Sequence, residues 1–242
     1  SAFGFLPKYD LLATVREKFQ QEGYFEEKQR RVEQIHRYYT DYTLTVCKDP
    51  RFSFYTRQTF MDNFLRGGFP LNLGAPGEER PYYVFSRKHG DLERDYNQFY
   101  LAPTYYSHGN GNFRDVLQNR RVDNFFNPKL KTANIKTFAS LLQPDGFNPL
   151  VIEGSKYHLT TPSAKEQALC GLSAEDRAKL EAVLGEPFTP GAVATFIMEQ
   201  KIQLPTDLSA FLGRLMTAAD TWTEAKFGEG YWVDHWTYLL DL

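Results

Sequence analysis

Phe113-Arg114-Asp115-Val116-Leu117-Gln118-Asn119, entered from Gly109-Asn110-Gly111-Asn112, is the stretch on which the reading of this chain turns. A Gly/Asn-rich lead-in opens a segment of helical character over 114–126. Outward from it, residues 134–143 repeat that character, with Ile135, Phe138, Leu141 and Leu142 on one side. Upstream, residues 8–46 form the strongest helical region. Leu11, Leu12, Val15 and Phe19, then Val32, Ile35, Tyr38 and Tyr39, recur at three- and four-residue spacings. Gly23 divides that region or bends it. A shorter helix fits 56–66, ahead of Gly67-Gly68 and a Pro/Gly-rich stretch over 70–81.

Residues 82–113 mix many aromatics with polar residues and hold no sustained period, so loops and short helices are expected there rather than strands. Pro149-Leu150-Val151-Ile152-Glu153-Gly154 suits a short strand or an extended loop. Ser173 caps a helix over 174–184 that ends at Gly185, because its hydroxyl accepts a backbone N–H while Glu175 and Asp176 favour the positive helix end. Another helix fits 190–201, and Pro205-Thr206-Asp207 opens one running to about Ala225. The last residues, from Trp236 to Leu242, read as a helix that stops mid-pattern, as though the chain were a piece of a longer one. Segment 160–206 has a lower aromatic density and suits an inserted subdomain or lid. The expectation is therefore an all-α dominated chain with long aromatic loops.

Composition narrows the function classes. Hydrophobic residues make 42% and charged residues 24% of the 242 positions, an ordinary globular balance. A net charge of −2 offers no electrostatic footprint for nucleic acid or an anionic membrane. Cys47 and Cys170 lie far apart without a CxxC pattern, so neither a disulfide framework nor a zinc site is indicated, and a reducing cytoplasm is the default compartment. No apolar run reaches the roughly 20 residues that span a bilayer. Neither a phosphate-binding glycine loop nor a GxSxG or HExxH arrangement is present.

The aromatic content is high, at 16%. Gly230-Tyr231-Trp232-Val233-Asp234-His235-Trp236 forms a second cluster like the first, joining glycine, rings and an acid within a few positions. Flat rings lie against pyranose faces while carboxylates accept sugar hydroxyls, so both clusters suit a carbohydrate site. Asp234 sits between Trp232 and Trp236, and aromatic walls would raise the pKa of a carboxyl group toward that of a general acid. A plainer reading makes it the N-cap of a helix from Thr237 onward. Asp115 follows Arg114, whose guanidinium would hold it ionised to accept hydroxyls; the plainer reading is an acid on a solvated first helical turn. His108 would contact phosphate or sugar, or simply serve its loop. The dense charged run from Ser86 to Asp95 would attract an anion or satisfy itself in local ion pairs.

At Phe113-Arg114-Asp115-Val116-Leu117-Gln118-Asn119 and Trp232-Val233-Asp234 the chain resembles the inverting β-glycoside phosphorylases of the cellobiose phosphorylase type. Those enzymes carry an aromatic-Arg-Asp-x-x-Gln-Asp motif and then a Trp-Asn-Asp motif at a similar separation. The run from Ser86 through Lys156-Tyr157 looks closest to the large relatives acting on β-1,3-linked gluco-oligosaccharides. What the resemblance implies is part of an (α/α)6 barrel over 1–242, with Asp234 as general acid. It also implies Asp115, Arg114, Gln118 and Trp232 as sugar contacts and inorganic phosphate as co-substrate, with no other cofactor. The partners implied are a β-gluco-oligosaccharide, and either the remainder of the enzyme or a second copy to complete the phosphate site. Two positions depart from the motifs: Asn119 stands for the second Asp of the first and Val233 for the Asn of the second, which brings Glu229 forward as a substitute acid. An inverting hydrolase with Asp115 or Glu229 as base, and a non-catalytic glycan-binding module, are the competing readings.

Overall fold

The computed structural model describes residues 6, 9–84, 105–106, 111–228 and 232–242. The chain divides into two compact units, residues 1–61 and 62–242, with one helix running across the division.

In the first unit, α1 (Leu12–Phe19) and α2 (Tyr24–Thr40) fall where the apolar spacing places them. They are separated at Gly23, whose φ of 76° is the left-handed conformation that stops a helix. The rings of Phe19, Tyr24 and Phe25 gather at this break, with centroids 5.3–5.6 Å apart. Burial does not follow the periodicity. α1 buries no residue and α2 only Thr40, while Val32, Tyr38 and Val46 are exposed. Arg57 reaches Asp41 at 3.0 Å, and Tyr42 stacks on Phe60, fixing the chain that precedes α3 (Pro50–Gly67) to that helix.

The second unit corrects the expectation of an all-α chain forming part of an (α/α)6 barrel. It is a mixed α/β structure with two antiparallel sheets, of two and three strands among the described residues. β1 (Phe69–Leu73) and β2 (Arg80–Val84) form a hairpin in which Phe69 faces Val84 and Leu73 faces Arg80. The other sheet has the order β3 (Gly111–Asn112), β4 (Pro149–His158), β5 (Asp220–Phe227). Between β3 and β4 come α4 (Phe113–Arg120), α5 (Asp123–Phe126) and α6 (Ala133–Ala139). After β4 follow α7 (Pro162–Leu169), α8 (Ala174–Val183), α9 (Pro190–Gln200) and α10 (Leu208–Ala218); α11 (Val233–Leu240) comes after β5.

The helix expected over 207–225 therefore ends at Ala218, and 220–227 is a strand. Up to Met216 the apolar residues keep helical spacing. Beyond it Thr221, Trp222 and Thr223 are β-branched or aromatic, the side chains that suit a pleated surface. The residues expected to be extended at 149–154 are the first part of the longer β4.

Capping explains where the later helices start. Thr161, Ser173, Thr189 and Asp207 each accept a backbone N–H three residues on, at 2.9–3.2 Å, and proline occupies the first turn of α7 and α9. Such a cap contributes about 1 kcal/mol.

Two cores result. The larger joins Leu73 and Tyr82 of the hairpin to Leu169, Leu180, Val193 and Ile197, and to Phe211, Leu212 and Leu215 of α10. At its tightest point α10 lies directly on the hairpin: a Cβ built on Gly213 would stand 2.3 Å from the Cα of Gly74. The smaller core gathers Phe113, Val116, Leu117, Phe138, Leu141 and Ile152 between α4, α6 and β4. Full burial of each such side chain contributes about 1.5–3 kcal/mol. Among the described residues no helix is long and apolar enough to cross a membrane.

Candidate functional site

α4 begins at the end of a strand, because Asn112 is extended and its Oδ1 accepts the N–H of Arg114 at 3.0 Å. Phe113, Val116 and Leu117 turn fully inward. That choice sends Arg114 and Gln118 to the surface. Asp115 goes inside, at 8% exposure, so it is not an acid on a solvated turn. Its backbone carbonyl accepts from Asn119 Nδ2 at 2.7 Å, the use this chain makes of the asparagine at that motif position.

α11 brings the second motif to the first. Arg114 Nη1 donates to Asp234 Oδ2 at 3.4 Å across 120 positions of sequence. Arg121 pairs with Asp241 further along the same two helices, and its guanidinium also lies 4.9 Å from the Tyr238 ring. Asp234 is not the N-cap. That position belongs to Trp232, whose side chain makes no capping bond, and Asp234 stands in the first turn. Nor is it walled off, because its side chain is 41% exposed and Trp232 is 39% exposed. Trp232 instead stacks on His235, with centroids 6.3 Å apart, and His235 leans on Phe113 at 5.2 Å.

His235 is the residue of this surface that motif reading passed over. It is buried, and its Nδ1 has no hydrogen-bond partner among the described residues. Burial holds its pKa below the usual imidazole range; the Asp234 carboxylate opposes that shift and the Arg114 charge adds to it. The result is a neutral ring between an indole and a phenyl, beside an exposed Arg–Asp pair. His108 lies outside the described residues, as do Glu229 and the charged run 86–95.

A second group, of buried polar and charged side chains, was missed altogether. The Tyr83 hydroxyl donates to Asp123 Oδ2 at 2.6 Å and accepts from Asn134 Nδ2 at 2.8 Å. The Arg120 guanidinium lies 3.5 Å from the Tyr83 ring centroid, and its Nε donates to the Gly67 carbonyl at 2.7 Å. The hairpin is held over this group by paired amides, Asn72 with Asn127 at 3.1 and 3.2 Å, and by the Lys129–Glu79 ion pair. Arg120 is 4% exposed. Burial lowers its pKa, pushes Tyr83 well above the phenol range and pushes Asp123 up to about 6; hydrogen bonding from Tyr83 and the Arg120 charge restrain Asp123 from rising further. One sequence signal pointed here. Arg120 follows Phe113, Val116 and Leu117 at the next position of the same helical stripe, so a cation occupies a core position.

Among the described residues no group of three or more His, Cys, Asp or Glu side chains gathers as metal ligands. Comparison with family models, with curated proteins and with solved structures returns no match for this chain.

Proposed function

We propose that the α4–α11 surface holds the terminal sugar of a β-linked gluco-oligosaccharide of the β-1,3 type, and that the chain takes part in its inverting phosphorolysis. The observation that carries this reading is the 3.4 Å contact between Arg114 and Asp234, which joins two motifs far apart in sequence into one surface with Trp232 beside it. Roles follow from the motif resemblance. Protonated Asp234 gives its proton to the glycosidic oxygen as the bond to the anomeric carbon breaks. An oxygen of inorganic phosphate attacks that carbon from the opposite face, so a β-linkage yields an α-sugar 1-phosphate and a shortened glycan. The proton returns to Asp234 from the phosphate hydroxyl of the product through solvent. Phosphate arrives as an anion, so no second carboxylate is needed to activate water.

In this reading Trp232 stacks on the sugar, Arg114 orients Asp234, and Gln118 bonds sugar hydroxyls, while Asp115, turned inward, supports the helix that carries Arg114 and Gln118. The remainder of the enzyme or a second copy completes the phosphate site. Exposed free thiols at Cys47 and Cys170 suit a reducing cytoplasm as the compartment.

A second reading is favoured by the solvent exposure of Asp234, since an open carboxylate suits binding better than proton donation. In that case the surface only recognises glycan. The decisive experiment measures release of sugar 1-phosphate from a panel of β-glucans by the intact protein, with and without phosphate. Phosphate-dependent release supports phosphorolysis. Release of free sugar without phosphate makes the protein a hydrolase, and glycan binding without turnover makes it a binding module.

A further inference from the structure

Next to the Tyr83–Asp123–Arg120–Asn134 group lies a cavity of about 50 Å³ that the preceding reading does not use. Its wall is formed by β2, α4, α6 and the β4–β5 pair. Arg120, Asn134, Tyr83, Thr137, Ser155 and Thr223 supply its polar groups. Ser155 and Thr223 face each other in register on neighbouring strands, just past the register shift between Ile152 and Gly154. Irregularities of that kind re-aim side chains beside functional sites.

We infer that this cavity is a binding site for a neutral, hydroxyl-rich small molecule, such as one edge of a monosaccharide. Size sets the first limit. A water needs about 10–15 Å³ by this measure, so the space takes roughly three to five water-sized groups. It admits two or three hydroxyls with their carbons and does not enclose a whole ring. Charge sets the second. A cation would face the Arg120 guanidinium that lines the wall, and the pull of that charge on an anion is offset by the Asp123 carboxylate behind the wall, hydrogen-bonded to the Tyr83 hydroxyl. The two charges offset each other, which leaves a neutral guest as the one that pays no net repulsion.

Hydrogen bonding sets the third limit. Asn134 is 5% exposed, its amide nitrogen is committed to Tyr83, and its Oδ1 has no donor among the described residues. A buried acceptor left without a donor is destabilising. A guest carrying hydroxyl donors would relieve it. Thr137, Ser155 and Thr223 both donate and accept, so they fit a polyol in more than one orientation. Arg114 points to the surface and Arg120 to the core of the same helix, so this cavity is separate from the α4–α11 surface and does not depend on the function proposed for it.

The test is saturation-transfer NMR and calorimetric titration of the full chain with glucose, glycerol and inorganic phosphate, each alone. Saturable binding of glucose or glycerol is expected, unaffected by excess phosphate. Thr223→Val and Thr137→Val keep side-chain shape while removing one hydroxyl each, and each should weaken binding about tenfold. Glycerol binding should be unchanged in Asp234→Asn and Trp232→Ala, which separates this site from the surface one, where glucose also binds under the proposed function. Failure of both polyols to bind, displacement by phosphate, or binding unaltered in both threonine variants would overturn the inference.

Discussion

Arg114 and Asp234 meet at 3.4 Å, and the next ion pair along their helices is Arg121 with Asp241, so α4 and α11 lie side by side and run in the same direction. The first pair is half exposed on both sides, and exposed ion pairs contribute about 0–1 kcal/mol. Its value is therefore positional. It ties the helix that carries Trp232 and His235 to the helix that carries Gln118.

This separates function from stability in a single variant. Asp234→Asn should leave the melting temperature within a degree or two of the parent. Under the proposed mechanism it should cut phosphate-dependent turnover by about 10²–10⁴-fold, the usual contribution of a general acid. A glycoside with a good leaving group should recover more than a natural glycan does, since its oxygen needs less protonation. Turnover of the natural glycan at the parent rate would remove Asp234 from the role.

Buried Arg120 should behave in the opposite way. Arg120→Met removes the cation that faces Asp123 and the donor to the Gly67 carbonyl, and breaking a buried charge network costs about 3–5 kcal/mol. The loss should be larger at pH 8, where Asp123 is ionised without its cation, than at pH 5, where it holds a proton. Urea unfolding at both pH values checks this, and adding Asp123→Asn should restore part of the loss at pH 8. Equal losses at the two pH values would show that Asp123 does not sense the guanidinium.

Asp123 and His235 set opposing pH slopes. With its folded pKa raised to about 6, Asp123 binds a proton in the native state that the unfolded chain has released, between the ordinary carboxylate pKa of about 4 and 6. Stability from this group therefore falls as pH rises through that window, by on the order of 3 kcal/mol in all. His235 has a folded pKa below its ordinary 6.5, so the unfolded state takes up protons first. Stability from it is present above about pH 6.5 and is lost as pH falls. Melting curves from pH 4 to 8 should lose the first slope in Asp123→Asn and the second in His235→Gln.

The helices were legible because their apolar residues recur at helical spacing and their caps are short polar side chains. Ser173 and Asp207 both mark helix starts in the sequence and in the fold. The sheets were not. β1 reads Phe-Pro-Leu-Asn-Leu inside a Pro/Gly-rich stretch, and β5 follows α10 after a single intervening residue, so the helical pattern carried the eye past Ala218. Tertiary pairing with β4 decided both ends of that sheet, and pairing across so many residues leaves no local mark. At the α4–α11 surface, the motifs named Arg114 and Asp234, which the fold brings within 3.4 Å of each other. Motif reading could not see that Asp115 would turn inward, because burial there is decided by Phe113 and Leu117 packing against Phe138 and Ile152. The Tyr83–Asp123–Arg120–Asn134 group draws on three separate segments, and only the position of Arg120 on an apolar stripe hinted at it.

Gly213 tests whether the hairpin is part of the core or an ornament on it. The glycine sits within α10, where alanine is favoured by about 1 kcal/mol on helix propensity alone. A substitution judged by propensity would therefore stabilise the protein. The packing argues the reverse. The added Cβ would lie 2.3 Å from Gly74 Cα and 2.7 Å from the Leu73 carbonyl oxygen, and both are backbone atoms that no rotamer change can move aside. The hairpin would have to back away from α10, opening the contact of Leu73 and Tyr82 with Phe211 and Leu212. Overpacking of this kind costs about 1–3 kcal/mol, and the lost hairpin burial adds to it. Gly213→Ala should thus lower the urea midpoint, and hydrogen exchange should quicken across 69–84 more than across α4. A neutral or raised midpoint would mean that the hairpin yields freely and that the larger core does not depend on it.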